Sequence, residues 1–520
     1  GIQDRCREGD HAHMVLRGVA RWPNSCSPDE VSEDRQQTLL ACVTACAVAL
    51  SLLVRPLSQL DAVVWGPADP WNNGDFLGAH WLFWAAEQPG DVGASLLWPW
   101  GEADVWTAFP NPFDAWLLSG LLARAEFPLG WNIMMMAHHL LNVMATVALG
   151  RAVGLRGLHA AAAGALVAAT PLMLHEHAMG HTLTAAVWPG LFGLAALLRG
   201  RGLLAGFWIG VQGLAYLYTG LMVGIVALVL RPTRGLLLAL LIVTPYLWHL
   251  SPQLEAASAV APPDGFTSLP IDGLFGTAQQ FHVRMLPVVL IGLLAPFLGP
   301  HRAWGRRAAV AAAVLLLIAL GPSWIVHRGD GEWLSSPVQF LFSIPGLDRM
   351  HHPVRLGMLA APLLAVATLA MFNRRRAIWA LGAVILALCQ WRVIDNTAAW
   401  SAPGEVPGAQ AALWLEDNAS AVVDLGSDHM QSLSLQTIHH KPVLAGLHPR
   451  TNPPPHVDRS LFERVSAWAQ GEHQPGLPER LKQLGFSHVI VIDRGHGRAP
   501  DVEAVEAQLG PEVVPGVYAL

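Results

Sequence analysis

Eleven apolar runs dominate the sequence, at about 38–54, 130–150, 157–174, 182–198, 203–216, 217–230, 234–250, 284–300, 307–325, 354–372 and 376–394. So many apolar segments cannot share one water-soluble core. A helix needs roughly 20 residues to cross ~30 Å of hydrocarbon, so the longer runs suffice and several are short. Composition agrees. Only 13% of the 520 residues are charged, about half the share of a soluble domain, and mean hydropathy is +0.38. The chain holds 21 Trp but four Tyr, and Trp favours membrane–water interfaces. The net charge of −6 gives no general attraction to nucleic acid. The expected fold class is a polytopic α-helical membrane protein of about eleven transmembrane helices, with a small C-terminal α/β extracytoplasmic domain.

Arginine sets the orientation. With the N-terminus inside, the inner loops carry Arg151, Arg156, Arg199, Arg201, Arg231, Arg234, Arg302, Arg306, Arg307 and Arg374 to Arg376. The longer outer segments carry Arg55, Arg124, Arg284, Arg328, Arg349 and Arg355. This excess inside follows the positive-inside rule. It requires the 203–230 run to be two spans meeting at Tyr216-Leu-Tyr-Thr-Gly220, because merging them puts later Arg clusters outside. The C-terminus is then expected outside.

Three regions follow. Residues 1–37 are polar and are assigned no fold; with the first apolar run beginning near Leu39, no cleavable signal peptide is expected. Residues 38–394 form the transmembrane domain, with a long Trp- and Asp-rich first outer loop at 55–129. From Asp395 charge rises and apolar runs shorten to strand length. Val422-Val-Asp-Leu425 and His488-Val-Ile-Val-Ile-Asp493 read as buried strands, and Leu477 to Leu484 as a helix closed by Gly485. Residues 395–520 therefore read as a soluble α/β domain. The five Cys, at 6, 26, 42, 46 and 389, imply no disulfide framework.

Few residues carry chemistry. Asp75, in Asn72-Asn-Gly-Asp75, is an acid at the outer face: a proton acceptor for a hydroxyl, a ligand for a divalent cation, or a capping residue in an Asn–Gly turn. His175-Glu-His177 with His181 offers nitrogen and carboxylate ligands to a metal, or polar ends to two helices. Arg349, His352 and Arg355 lie just outside the tenth span, where a guanidinium fork suits phosphate; snorkelling is the alternative. His138 and His139 sit inside the second span beside Asn142, where polar side chains are costly. No phosphate-binding Gly-rich loop, CxxC or GxSxG elbow is present, which disfavours ATP-driven, redox and serine-hydrolase readings.

Gly74-Asp75 at the head of a long first outer loop, Trp98-Pro-Trp-Gly101 with Phe109-Pro-Asn-Pro112, Gly180-His181 before Trp188-Pro189, Leu320-Gly-Pro322, Ile344-Pro-Gly346 and Arg349 to Arg355 together carry a resemblance. Over about residues 38–520 the layout resembles the polytopic glycosyltransferases of the C-type superfamily, most of all bacterial members. The resemblance implies transfer of a sugar from a polyprenyl-phosphate carrier to a glycan, lipid or protein acceptor at the outer face of the bacterial cytoplasmic membrane. It makes Asp75 the general base, although no second acid adjoins it. It gives the carrier phosphate to Arg349, His352 and Arg355. Trp98 and Trp100 suit the apolar face of a sugar. His175, Glu176, His177 and His181 shape the site or hold a divalent cation such as Mg2+ or Mn2+. Two other readings use the same features: a non-enzymatic lipid or polysaccharide transporter or envelope scaffold, and a metal-dependent enzyme acting on lipid phosphate.

Overall fold

The computed structural model describes residues 28–52, 81, 84–85, 88, 92–101, 112–114, 129–178, 180–258, 294, 302–321, 323–325, 333–335, 338–343, 353–372, 380, 382–385, 408–425, 429–444, 458–492 and 500–520. Ten helices precede residue 400 among these: α1 Pro28–Leu52, α2 Leu129–Ala152, α3 Gly157–Ala168, α4 Pro171–Ala178, α5 Trp188–Leu198, α6 Gly202–Ala215, α7 Leu217–Leu230, α8 Leu236–Ser258, α9 Arg302–Ala319 and α10 Gly357–Phe372, with a single helical turn at Thr182–Ala185. Among the described residues two helices are long and apolar enough to cross a membrane, Leu129–Ala152 and Pro353–Met371. Shorter apolar helices cover most of the other runs, and the runs at 284–300 and 376–394 lie largely outside the described residues.

Several boundaries differ from the pattern of apolar runs, each for a local reason. Helix α1 begins at Pro28, well before the apolar run. Pro at the first helical position costs no hydrogen bond, and the acids Asp29 and Glu30 favour a helix N-terminus. The third run breaks after Ala168 because Pro171 cannot donate to the preceding turn. The ninth run stops at Ala319. Gly321, with φ +77°, ends the helix, and Ser323–Ile325 (β1) pairs antiparallel with Trp333–Ser335 (β2). The 203–230 run does divide, at Tyr216, whose backbone is extended between α6 and α7.

Small residues set the packing. Gly202, Gly206, Gly210 and Gly213 recur along α6 against the start and flank of α8. A Cβ on Gly206 would stand 1.8 Å from the Gly235 carbonyl oxygen, so the two backbones touch where any side chain would part them. Helix α10 is almost wholly buried, packed against α3 and α9; α2 packs on α1, α3 and α5.

The C-terminal segment contains α11 Ala409–Asn418, β3 Val422–Asp424, α12 His429–His439, α13 Arg459–Ala469, α14 Leu477–Gln483, β4 His488–Ile490, α15 Val502–Leu509 and β5 Val517–Ala519. Strands β3 and β4 run parallel, and β5 is antiparallel to β4. Side chains alternate across the sheet. Val423, Val489 and Tyr518 join one apolar cluster, while Val422, Ile490 and Val517 join another on the opposite face. Helix α14 ends at Gly485, with φ +91°, at the glycine the sequence marks.

Candidate functional site

The local chain around α4 builds the site. Thr170 precedes the helix, Pro171 starts it, and Gly180 ends it with φ +69°. The Gly180 N–H donates to the His177 carbonyl at 3.0 Å and the His181 N–H to the Glu176 carbonyl at 3.0 Å. This paired closure is the glycine-terminated helix end, and it folds His181 back over Glu176. Its Nδ1 donates to Glu176 Oε2 at 2.9 Å. A carboxylate only accepts, so the Nδ1 proton belongs to this bond.

Two further groups converge on the same oxygen. Thr184 donates its hydroxyl to Glu176 Oε2 at 2.5 Å, and Arg355 Nε stands 3.2 Å away. Arg355 comes from the turn Pro353–Leu356 that leads into α10. Gly357 permits the approach: a Cβ there would stand 2.9 Å from the Leu172 side chain of α4. Arg355 Nη2 lies 3.2 Å from His181 Nδ1. Glu176 is 2% exposed, Arg355 10% and His181 13%, so the carboxylate is sealed while the guanidinium and imidazole keep slight exposure. Burial pushes the Glu176 carboxyl up. The charges of Arg355 and His181, with the hydrogen bonds from His181 and Thr184, overcome it and hold the group well below the usual carboxylate range.

Several polar side chains of α2 make buried contacts near this cluster. Trp188 donates its indole N–H to His138 Nδ1 at 3.1 Å, which leaves the proton of neutral His138 on Nε2, 3.3 Å from Asp114 Oδ1. Both side chains are buried. His177 donates from Nδ1 to the Met173 carbonyl at 2.7 Å, and its ring meets that of His139 edge-on at 4.9 Å. The chain between the Thr182–Ala185 turn and α5 is not helical, so its backbone groups need partners. Asn142 supplies them by donating to the Ala185 carbonyl at 2.6 Å and accepting from the Val187 N–H at 3.1 Å. Gln212 does the same, donating to the Ala186 carbonyl at 2.9 Å and accepting from the Gly190 N–H at 3.0 Å.

Of the residues singled out from sequence, Glu176, His181 and Arg355 meet. His177 turns inward to Met173 and His139. His175 belongs to α4, but its side chain lies outside the described residues, as do Asp75, Arg349 and His352. Trp98 and Trp100 pack on the C-terminal apolar cluster, and the Trp98 indole donates to the Leu484 carbonyl at 3.1 Å. Thr184 and Asp114 were not among the candidates; a hydroxyl at a helical break and one Asp among many in the first outer loop give weak signals.

The described side chains of this donor set form no divalent-cation site. The Glu176 oxygen is already met by a fixed positive charge and two hydrogen-bond donors, and among the described residues no three His, Cys, Asp or Glu side chains form a group able to hold a metal. The arrangement is a socket for a guanidinium, with the His181 imidazole beside it.

No family model and no curated protein sequence matches the chain. Solved structures do. The chain superposes on the Archaeoglobus fulgidus oligosaccharyltransferase tethered to an acceptor peptide containing the NVT sequon, with TM-score 0.50 and 13% identity over 87% of this chain and 68% of that one. It superposes on the oligosaccharyltransferase AglB of Archaeoglobus fulgidus in complex with an inhibitory peptide and dolichol-phosphate, with TM-score 0.51 and 13% identity over 87% and 69%. The mycobacterial arabinofuranosyltransferase AftD gives TM-score 0.51 and 14% identity, covering 88% of this chain and 36% of that one. The chain thus shares its overall fold with these solved membrane-enzyme structures.

Proposed function

We propose that the protein is a membrane glycosyltransferase that moves a sugar from a polyprenyl-phosphate carrier to an acceptor at the outer face of a bacterial cytoplasmic membrane. In this reading it has about eleven spans, its N-terminus is inside and its C-terminal segment outside. The observation that carries it is the meeting of Arg355 with Glu176, His181 and Thr184, in a fold shared with an enzyme solved with dolichol-phosphate.

The chemistry follows from the groups. Transfer breaks the bond between the sugar's anomeric carbon and a phosphate oxygen, and forms one to an acceptor oxygen. Negative charge grows on the departing phosphate. Arg355 answers that charge with a fork matched to phosphate oxygens. Glu176 grips the guanidinium at Nε, on the stem side, so the plane is set before the carrier arrives. The Nη end, beside His181, is the phosphate-binding edge. The acceptor hydroxyl loses its proton to Asp75, the outer acid. The leaving group stays on its lipid, so no nucleotide pocket is needed.

The test is transfer from a labelled lipid-linked sugar by the protein in proteoliposomes. Transfer by the wild type and its loss in Asp75→Asn support the reading. Wild-type transfer by Asp75→Asn removes Asp75 from the mechanism, and a wild type that moves labelled lipid across the bilayer without transferring sugar supports a transporter instead.

A further inference from the structure

The C-terminal segment supplies none of the groups just described, yet one of its buried side chains reaches into the first outer loop. Gln436, on α12, is wholly buried. Its Oε1 accepts from the Trp81 indole N–H at 2.9 Å. Its Nε2 donates to the Ser95 hydroxyl at 3.0 Å and to the Lys441 carbonyl at 3.1 Å. Both ends of the amide are therefore spent, and two of its three partners belong to the first outer loop.

The same seam is stitched at other points. The Val443 N–H donates to the Ser95 carbonyl at 2.9 Å, and the Trp98 N–H to the Val443 carbonyl at 3.0 Å. Val443 bridges Val422 of β3, so the loop is hung on the edge of the β3–β4–β5 sheet. Trp84 stacks on His440, with centroids 5.6 Å apart and planes 13° from parallel, and His440 Nδ1 lies 3.1 Å from Glu416 Oε1 on α11. Further along the loop, Asp114 faces His138 of α2. Among its described residues the loop thus meets the sheet at Ser95 and Trp98 and the helices at Asp114.

We propose that Gln436 is a positioning residue for the first outer loop and, through it, for the transfer step; this rests on the glycosyltransferase reading above. Asp75 precedes Trp81 by six residues in the sequence, so whatever fixes Trp81 limits how far Asp75 can move. Apolar packing tolerates sliding along a surface. A buried amide bonded at both ends does not, because each displaced partner becomes an unsatisfied buried group.

The experiment is Gln436→Met in the full-length protein in proteoliposomes, which keeps the volume and removes the hydrogen bonds. Two readouts are taken: transfer kinetics with a labelled lipid-linked sugar, and amide hydrogen exchange. The expected result is a kcat lower by roughly tenfold with KM for the carrier unchanged. Exchange should quicken in residues 92–101 while α2 and α10 keep their protection. A purely structural role would instead lower the amount of folded protein, with kcat per folded molecule retained; that result overturns the proposal, as does loss of protection spread through all helices. A wild type without sugar transfer fails the glycosyltransferase reading alone, and exchange then decides: local loss of protection at 92–101 supports positioning, unchanged protection overturns it. Should Gln436→Met fail to fold, Ser95→Ala, which deletes a single partner, is expected to shift both readouts in the same direction by less, and no shift in either overturns the proposal.

Discussion

Arg355 Nε lies 3.2 Å from Glu176 Oε2, an ion pair between the turn that opens α10 and the short helix α4. Neither residue's neighbourhood in sequence announces the other. The pair exists because Gly180 closes α4 so that its polar end faces α10, and because Gly357 leaves room for Leu172.

Breaking that pair strands a nearly buried guanidinium. Glu176→Gln is expected to destabilise the protein by about 3 kcal/mol, and Thr184→Val, which removes one hydrogen bond to the same oxygen, by about 1 kcal/mol. Thermal unfolding of the purified variants in detergent checks the order. Equal melting temperatures for Glu176→Gln and wild type would mean the pair contributes nothing.

The Glu176 carboxyl is held well below its ordinary value of 4.5. Its stabilising contribution is therefore complete above pH 4.5 and is lost as pH falls below that toward the folded-state value. The melting difference between wild type and Glu176→Gln should stay constant from pH 7 to 5 and shrink only in more acidic buffer. Shrinkage near neutral pH would contradict the assignment.

His439 behaves in the opposite manner to a surface histidine. Burial, with the charges of His440 and Lys441, pushes it down to about 3, and its Nδ1 accepts the Lys441 N–H at 2.9 Å. Below pH 6.5 the unfolded chain takes up a proton that the folded ring refuses, so stability falls as pH drops from 6.5 toward 3. His439→Gln should flatten that part of the profile, read by unfolding of the C-terminal segment followed through Trp fluorescence. An unflattened profile would assign the acid sensitivity elsewhere.

Asn142 and Gln212 serve the broken backbone between Ala185 and Gly190. Asn142→Ala leaves a buried carbonyl and a buried N–H unmet, and about 2 to 3 kcal/mol of destabilisation is expected. Asn142→Leu, similar in volume, should be no better, since the loss is of hydrogen bonds and not of packing. Chemical denaturation distinguishes the two, and a stable Asn142→Leu would contradict the clamp.

What the sequence made legible was whatever is decided locally. The division of 203–230 at Tyr216, the glycine that closes α14 and the strands Val422–Asp424 and His488–Ile490, shorter than the runs 422–425 and 488–493 that announce them, all rest on nearby residues. The helix broken at Ala186 was not legible, because the amides that tolerate it come from α2 and α6. The start of α1 at Pro28 was hidden by a polar stretch whose helical signals are proline and acids rather than hydropathy. Within the site, Arg355 and Glu176 were each visible as charges in costly places, but grouped with different partners: phosphate for one, a metal for the other. Only the fold brings them to each other, and Thr184 carries no sequence signal beyond a hydroxyl near a turn.

The central claim is that Arg355, aligned by Glu176, receives the phosphate of a lipid-linked sugar. The direct measurement is the rate of sugar transfer from a labelled polyprenyl-phosphate carrier in proteoliposomes, compared between wild type and Arg355→Gln. The account predicts transfer by the wild type and a drop of about 100-fold in the variant, with the protein still folded. Undiminished transfer by Arg355→Gln would contradict it.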